Sequence, residues 1–288
     1  MKLLAWDTSS KVGALVAMEW GTDSSAAGAR DKLKLMGEWT FNAESTHSER
    51  VLWAIHQLLE SCRWKLSDID VFGVGVGPGS FTGIRIGVTT ARTLAHTLGK
   101  PLVQISSLAA LARPAAEWLS ASSSTGQGRS VIVCSTDAAK GELFALWGDA
   151  GAIKECVCMP ENGAAGLWNA EVKERVLTAP DLMAAVHAEL DRDGTKWFAI
   201  GEGRKRYLDD WKGLPADREN IPPLIFLDQV QGRYLGILAW EAYQAGLART
   251  ALDVHPRYIR ASDPELKLKA GLLKPSPQSN TPTGLPET

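Results

Sequence analysis

A glycine-rich turn at residues 73–87, GVGVGPGSFTGIRIG, joins an apolar run to a helix-like segment. Free backbone N–H groups at a helix N-terminus can cradle a phosphate, so this turn is the first candidate for phosphate chemistry. The dinucleotide fingerprint G-x-G-x-x-G fits in no register, because its third glycine falls on Pro78, Ser80 or Thr82. No lysine stands where a Walker A loop needs one. The spacing argues against both sites and favours a tight strand-to-helix turn.

Metal and nucleophile patterns are weak elsewhere in the chain. The cysteines form no C-x-x-C pair, and Cys156-x-Cys158 has no His or second Cys pair at ligand spacing, so we expect reduced structural thiols and no metal site. The sequence has five histidines, none beside a convincing nucleophile pattern. We therefore assign no catalytic residue.

Composition limits the function classes. The chain has 288 residues, 45% of them hydrophobic, and 33 acids nearly balance 31 Lys and Arg. This length favours two domains, and near-neutrality provides no strong basic field, so any contact with nucleic acid should be helped by a partner. No stretch of about 18 apolar residues could span a bilayer, and the apolar start is too short for a signal peptide. We expect a soluble, cytoplasmic protein that does not bind membranes.

The first 107 residues predict an α/β domain with a mixed sheet. Thr46 and Glu49 match a capping box, and apolar residues recur at helical spacing from Val51 to Cys62. The residues between 21 and 37 are small and charged, which suits a loose hairpin tip. In chain order, the predicted elements are strands 2–6, 13–20 and 38–42, helix 49–62, strand 71–76, helix 82–98 and strand 102–105.

The pattern then restarts and predicts a second α/β domain over residues 108–262. Its C-terminal helix, 231–245, can pack back on the first domain. The segment 120–128 is of low complexity, and residues 263–288 should form an extended, disordered tail. The other elements predicted here are strands 131–134, 141–147 and 196–200 and helix 179–190.

The predicted helix 82–98 has two faces suited to contact. Gly83, Gly87 and Ala91 form a small-residue strip that another helix could approach closely. A polar row lies on another face, made of Arg85, Thr89, Arg92 and His96.

Several motifs together resemble the TsaB family, also called YeaZ. The most specific is GPGSFTGIRIG at residues 77–87, preceded by HSE at 47–49. The resemblance covers most of the chain, with LLAWDTSS at 3–10, ISSL at 105–108, DAAKGELF at 137–144 and PRYIR at 256–260.

The resemblance implies two related α/β domains of the actin, sugar-kinase and heat-shock ATPase type, with mixed β-sheets. It also implies a non-catalytic scaffold or activator that forms a heterodimer with the paralogue TsaD, works with the ATPase TsaE, and meets tRNA through the complex. TsaD then holds the metal and transfers threonylcarbamoyl to the adenosine next to the anticodon in ANN-decoding tRNAs. Alone, such a protein forms a homodimer. It has no cofactor of its own, although ATP or ADP can lie at the complex interface.

The same resemblance places Asp7, Thr8 and Ser9 at the family's first phosphate loop. They are either a vestigial nucleotide site or a hairpin turn in which Asp and Ser satisfy backbone donors, and we favour the turn. Two departures add doubt about nucleotide binding: Arg204 in the second glycine turn, 201–204, and Ala139 after Asp137. His47 and His56 are nine positions apart and cannot share one turn as a ligand pair, unlike the two histidines of TsaD.

Helices 49–62 and 82–98 correspond to the family's association surface. The candidate contact residues are His47, Leu52, Ile55, Gly83, Arg85, Gly87 and Ala91. The competing interpretation is that the apolar and small residues face the domain's own sheet, and for the glycine strip we favour the partner. Two alternatives for function stay open: a stand-alone kinase-like ATPase or peptidase of the same superfamily, and a regulatory homodimer.

Overall fold

The computed structural model describes residues 1–23, 30–42, 47–122, 129–158, 166–190, 195–206 and 228–260. The chain divides into two compact units, Met1–Tyr258 and Ile259–Thr288. Of the second unit, only Ile259 and Arg260 are described. The architecture below is that of the first unit. The predicted domain boundaries at residues 107 and 262 stay predictions.

A five-stranded mixed sheet forms the first half of this unit. Its strands are β1 (Lys2–Asp7), β2 (Val12–Asp23), β3 (Arg30–Asn42), β4 (Val71–Gly75) and β5 (Leu102–Ile105), in the order β3-β2-β1-β4-β5. The first three strands pair antiparallel, and β1, β4 and β5 pair parallel. β4 and β5 are buried along their whole length, which fits the apolar runs of parallel strands covered on both faces.

Two helices cover one face of this sheet and a third covers the other. α1 (His47–Cys62) and α2 (Phe81–Leu98) pack on the face that carries Leu4, Trp6 and Val74. The late helix α7 (Gly232–Gln244) covers the opposite face, where Trp240 stacks on Trp20 with ring centroids 4.2 Å apart.

The second sheet repeats the topology of the first. Its strands are β6 (Ser130–Asp137), β7 (Glu142–Asp149), β8 (Lys173–Thr178) and β9 (Lys196–Ile200), in the order β8-β7-β6-β9. As in the first sheet, three successive strands pair antiparallel and the fourth pairs parallel to the first of them. The repeat confirms the predicted α/β class with two related mixed sheets. The remaining helices are α3 (Ser107–Ser122), α4 (Ala150–Lys154), α5 (Ala179–Leu190) and α6 (Glu202–Arg206).

Several predicted details differ from the structure. The first hairpin is longer than expected, because β2 runs to Asp23 and β3 starts at Arg30, so part of the expected loose tip is strand. β8 and α3 were not predicted from the sequence, and α3 extends into the segment expected to be of low complexity. Thr46, most of that segment and the predicted tail lie outside the described residues. No helix among the described residues is long and apolar enough to cross a membrane.

A buried arginine ties α7 to the helices between the two sheets. Arg113 on α3 is 4% exposed. Its Nη1 donates to Oε2 of Glu241 on α7 at 2.8 Å and to the Lys154 carbonyl of α4 at 2.8 Å, and its Nε donates to Glu117 at 2.8 Å. One side chain therefore joins three helices that lie far apart in sequence.

We expect Arg113→Met to lower the free energy of unfolding by about 2 kcal/mol, because Glu241 and the Lys154 carbonyl lose a charged donor. Urea unfolding measures this change. The matched control is Arg233→Met on α7, the helix that carries Glu241, since Arg233 pairs with Glu38 at 2.9 Å but is 53% exposed. The control should change stability by less than about 0.5 kcal/mol. Equal effects of the two substitutions would contradict the role given to Arg113.

Candidate functional site

The first candidate loop, residues 7–9, begins where β1 ends. Its acid, Asp7, accepts hydrogen bonds from other residues of this chain. Asp7 is fully buried. Its Oδ1 accepts from the Ser9 N–H at 2.8 Å and from the Ser9 hydroxyl at 2.6 Å. Its Oδ2 accepts from the Ser107 hydroxyl at 2.5 Å. Both carboxylate oxygens are thus engaged by residues of this protein.

Burial sets the protonation behaviour of Asp7. Desolvation raises the pKa of this carboxyl above its ordinary value, and the hydrogen bonds from Ser107 and Ser9 offset part of the rise. A magnesium-binding acid needs an ionised oxygen that faces solvent or ligand. The geometry of Asp7 instead fits the hairpin-turn interpretation, in which the acid accepts hydrogen bonds from its own loop.

The glycine-rich turn between β4 and α2 is closed by the same residues. The Ser80 N–H donates to the Ser9 carbonyl at 2.6 Å, and the Ser107 N–H donates to the Gly77 carbonyl at 2.9 Å. The Gly77 N–H donates to the Ser107 hydroxyl at 3.1 Å, and the Ser80 hydroxyl accepts from the Gly83 N–H at 3.3 Å. The N–H groups of Gly77, Ser80 and Gly83 are therefore already used inside the protein.

The glycine strip of α2 lies against the chain's own first loop. A Cβ at Gly83 would be 2.0 Å from the Thr8 carbonyl oxygen, and one at Gly87 would be 2.3 Å from Thr8 Oγ1. The Thr8 hydroxyl donates to the Gly83 carbonyl at 2.7 Å, and Trp6 Nε1 donates to the Gly87 carbonyl at 3.1 Å. The helix approaches the loop this closely only because these residues have no side chain.

The prediction that Gly83, Gly87 and Ala91 contact a partner protein is therefore wrong. Gly83 and Gly87 are used inside the domain, and Ala91 is fully buried in the core beneath α2. Ile55 is also wrong as a contact residue, since it is 4% exposed and packs in the same core. The competing interpretation, in which these residues face their own sheet, is the one that the geometry supports.

Two predicted contact residues do lie at the surface. Leu52 on α1 is 49% exposed, and Arg85 on α2 is exposed. His47 is the first residue of α1, but its side chain lies outside the described residues. His56, expected to be an exposed helix residue, is exposed. Their role in binding a partner stays a prediction.

Trp53 is 58% exposed beside Leu52 and was not predicted from the sequence as a contact residue. Its ring lies 6.0 Å from that of Trp39 on β3. A signal was available, because Trp53 falls off the apolar stripe formed by Val51, Ile55 and Leu58. Leu52 and Trp53 together are called the α1 patch below.

A small cleft lies between the first loop and the second sheet. Three of its lining residues are acids and none is Lys, Arg or His, among the residues that the structure describes. Asp137 also accepts from the Arg206 side chain. The acidic lining disfavours a polyphosphate unless cations come with it. The polar residues of the lining are Ser9, Ser10, Ser107, Thr136, Asp137, Glu202, Asp228 and Gln229.

The second glycine turn also docks on its own sheet. Gly201 has φ 92°, and a Cβ there would be 2.2 Å from the Ser135 carbonyl oxygen. The turn thus carries α6 and Glu202 to the rim of the cleft. Within the described ranges, no three His, Cys, Asp or Glu side chains are grouped so that they could hold one metal ion.

Comparisons with known proteins agree with these motifs. Residues 41–161, which include α1, the glycine turn and α2, match the family model described as TsaD, tRNA N6-adenosine threonylcarbamoyltransferase. The chain is 29% identical to the tRNA threonylcarbamoyladenosine biosynthesis protein TsaB of Escherichia coli, over 57% of this chain and 60% of that protein. It is 26% identical to the protein of the same name in Haemophilus influenzae, over 76% of this chain and 81% of that one. The chain is similar to the TsaB (YeaZ) proteins over most of its length.

A solved structure shows the same fold. A Pseudomonas aeruginosa protein described as similar to the peptidase YEAZ superposes with a TM-score of 0.61 and 23% identity, over 90% of this chain and 99% of that one. The sequence match to the E. coli TsaB, by contrast, spans less than two thirds of that protein's length. The sequence matches thus show similarity to TsaB proteins, and the structural match adds the common fold.

Gly83→Ala should lower the free energy of unfolding by about 1–3 kcal/mol, since the added methyl group would force α2 away from Thr8. Gly21→Ala is the matched control, because a Cβ at Gly21 meets nothing within 4 Å. Urea unfolding of both variants tests the close approach. If Gly83→Ala is as stable as Gly21→Ala, the helix and loop are not packed as described.

The raised pKa of Asp7 predicts a pH-dependent stability difference between the protein and its Asp7→Asn variant. The Asp7 term stabilises the fold below the ordinary pKa of about 3.9 and is lost as pH rises through the raised folded pKa. The variant, which carries no charge there, should therefore gain stability relative to the unmodified protein as pH rises from about 4 to 8. Unfolding free energies across this range measure the difference, and a constant difference would show an unperturbed carboxyl.

Proposed function

We propose that this chain is a non-catalytic scaffold or activator subunit that binds TsaD for threonylcarbamoyl modification of the adenosine next to the anticodon in ANN-decoding tRNAs. The observation that carries the proposal is the state of Asp7. The acid at the phosphate loop is buried and hydrogen-bonded by Ser9 and Ser107, which leaves it unsuited to hold magnesium. The relatives named TsaB supply the biosynthetic context.

The alternative enzyme functions have less physical support. A kinase-like ATPase would need a cleft that attracts polyphosphate, whereas the lining carries Asp137, Glu202 and Asp228. A peptidase would need a nucleophile beside a base. The Ser9 and Ser107 hydroxyls both donate to the Asp7 carboxylate, which is fully buried and has a structural role. We infer that any ATP or ADP lies at the interface of the complex, in keeping with the proposed association with TsaE.

The α1 patch is the proposed contact with TsaD. Trp53 and Leu52 expose about half of their surfaces to water, and tryptophan is among the residues that dominate binding energy at protein interfaces. Arg85 stays a candidate for the edge of that surface. We infer that the same patch joins two copies of this chain when TsaD is absent. Because the chain carries a net charge of only −2, tRNA is bound mainly through the complex.

Reconstitution tests the proposed role. Purified chain with tRNA, threonine, bicarbonate and ATP should give no threonylcarbamoyladenosine. Adding the synthase that makes the threonylcarbamoyl donor, TsaD and TsaE should give product, and omitting this chain from the full mixture should abolish it. Modified nucleoside is measured by mass spectrometry after digestion. Full activity without this chain contradicts the scaffold role, and ATP or peptide hydrolysis by the chain alone would favour the alternative enzymes.

Substitutions in the α1 patch test the partner surface. We expect Trp53→Ala to weaken TsaD binding by about tenfold or more, since truncation of a tryptophan anchor at an interface costs upwards of about 2 kcal/mol. Leu252→Ala is the matched control, because Leu252 is 63% exposed and lies outside the patch. Calorimetry measures heterodimer affinity, and sedimentation of the chain alone measures the homodimer. Unchanged affinity for TsaD with Trp53→Ala would move the contact elsewhere.

A further inference from the structure

Two aromatic rings stack at the surface where α2 begins. Phe81, the first residue of α2, and Tyr258 have ring centroids 4.7 Å apart and planes 29° apart. Although each ring covers part of the other, Phe81 remains 48% exposed and Tyr258 45% exposed. The Arg85 guanidinium lies 5.1 Å from the Phe81 ring centroid, one helical turn further along. These three side chains are called the aromatic platform.

The platform is held by buried parts of the protein. The Arg257 N–H, next to Tyr258, donates to the Val76 carbonyl at 2.8 Å, where the chain leaves β4. The Arg257 side chain is 9% exposed and pairs with the fully buried Glu174. Phe81 follows the Ser80 cap of α2. Both rings are thus fixed to the same β4–α2 connection, so little conformational entropy is lost when a ligand stacks on them.

α2, the helix that carries Phe81 and Arg85, is basic, unlike the chain as a whole. α2 contains two arginines, one histidine and five threonines in 18 residues, and no Asp or Glu. The whole chain, by contrast, has a net charge of −2. Arg85, Thr82 and Thr89 are exposed along one side of the helix. The adjoining 3-10 turn, Ala251–Asp253, carries one carboxylate, Asp253, which accepts from the Thr250 hydroxyl at 2.7 Å.

This combination of groups matches the chemistry of a nucleotide in a single strand. Bases that are not paired stack on exposed aromatic rings and on arginine planes, and arginine and hydroxyl groups bind the phosphates between them. The exposed neighbours of Phe81 are Ser80, Thr82 and Arg85, polar groups that can contact the phosphates and riboses beside a stacked base.

We propose that Phe81, Tyr258 and Arg85 form a stacking site for an unpaired base of RNA, with Arg85 and the α2 hydroxyls along the adjacent phosphates. The inference rests on the proposed function, since tRNA is the RNA that the complex would bring to this surface. It adds a direct RNA contact made by this chain, which the chain's overall charge does not indicate.

RNA affinity tests the site. A fluorescently labelled anticodon stem–loop RNA is titrated with the full chain, alone and with TsaD, and binding is followed by anisotropy. Tyr258→Ala should weaken RNA binding by about tenfold or more, the usual effect of removing one stacking platform. Tyr258→Trp should restore it, since a larger ring also stacks. Arg85→Gln should lower the slope of log affinity against log salt by about one, as expected for one lost phosphate contact.

Controls separate this site from the partner surface. Leu252→Ala should bind RNA like the unmodified chain, and thermal unfolding of each variant confirms that it is folded. Affinity for TsaD is measured on the same samples. RNA binding that is undetectable with and without TsaD, or unchanged by Tyr258→Ala, overturns the inference. Loss of TsaD binding by Tyr258→Ala also overturns it, because the platform is then a protein contact. If TsaD does not bind the unmodified chain, the proposed function fails, while RNA binding by the chain alone still decides this inference.

Discussion

The hydrogen bonds that close around the Asp7 carboxylate organise the first half of this protein. Ser9 follows β1 and Ser107 begins α3, 100 residues later, yet both donate to the same acid. Ser107 also accepts from the Gly77 N–H, and Ser9 accepts from the Ser80 N–H through its carbonyl. Three chain segments, residues 7–9, the glycine-rich turn and the start of α3, therefore meet around one buried group. A buried carboxylate left without these donors would be costly, so the segments are held together as a unit.

This arrangement favours a structural turn over a nucleotide-binding site at residues 7–9. An acid and hydroxyl groups lie at the end of β1, beside a glycine turn. These residue types would suit a magnesium nucleotide if they faced an open cleft. Here they face each other, and the cleft beside them is lined by further acids. The consequence is a loop that positions α2. Its outer surface, with Arg85 and Phe81, and the neighbouring α1 patch then remain for contact with other molecules.

Much of the fold could be predicted from sequence, because hydrophobic period and turn residues act locally. The strand before the glycine turn, α2 and its end at Gly99 followed from such signals, as did the repeated α/β order. β8 was not predicted because its sequence, KERVLT, has only two apolar residues, and α3 because its alanines give little periodicity.

The site was harder to predict, since it depends on contacts between distant segments. A glycine strip permits a close approach but does not say by what, and here the approaching group is Thr8. Ser107 belongs to the ISSL motif, but nothing in the sequence predicts its hydrogen bond to Asp7. Likewise Phe81 and Tyr258 are 177 positions apart in the sequence and meet only in the folded chain.

The most direct test of the central claim is threonylcarbamoyl transfer in the reconstituted mixture with Asp7→Asn in place of the unmodified chain. Asparagine keeps an oxygen for Ser9 but cannot serve as an anionic magnesium ligand. The account predicts a rate within about twofold of the unmodified mixture, a change well below 1 kcal/mol in barrier. Loss of transfer by a folded Asp7→Asn chain that still binds TsaD would contradict it, because the acid would then take part in the chemistry.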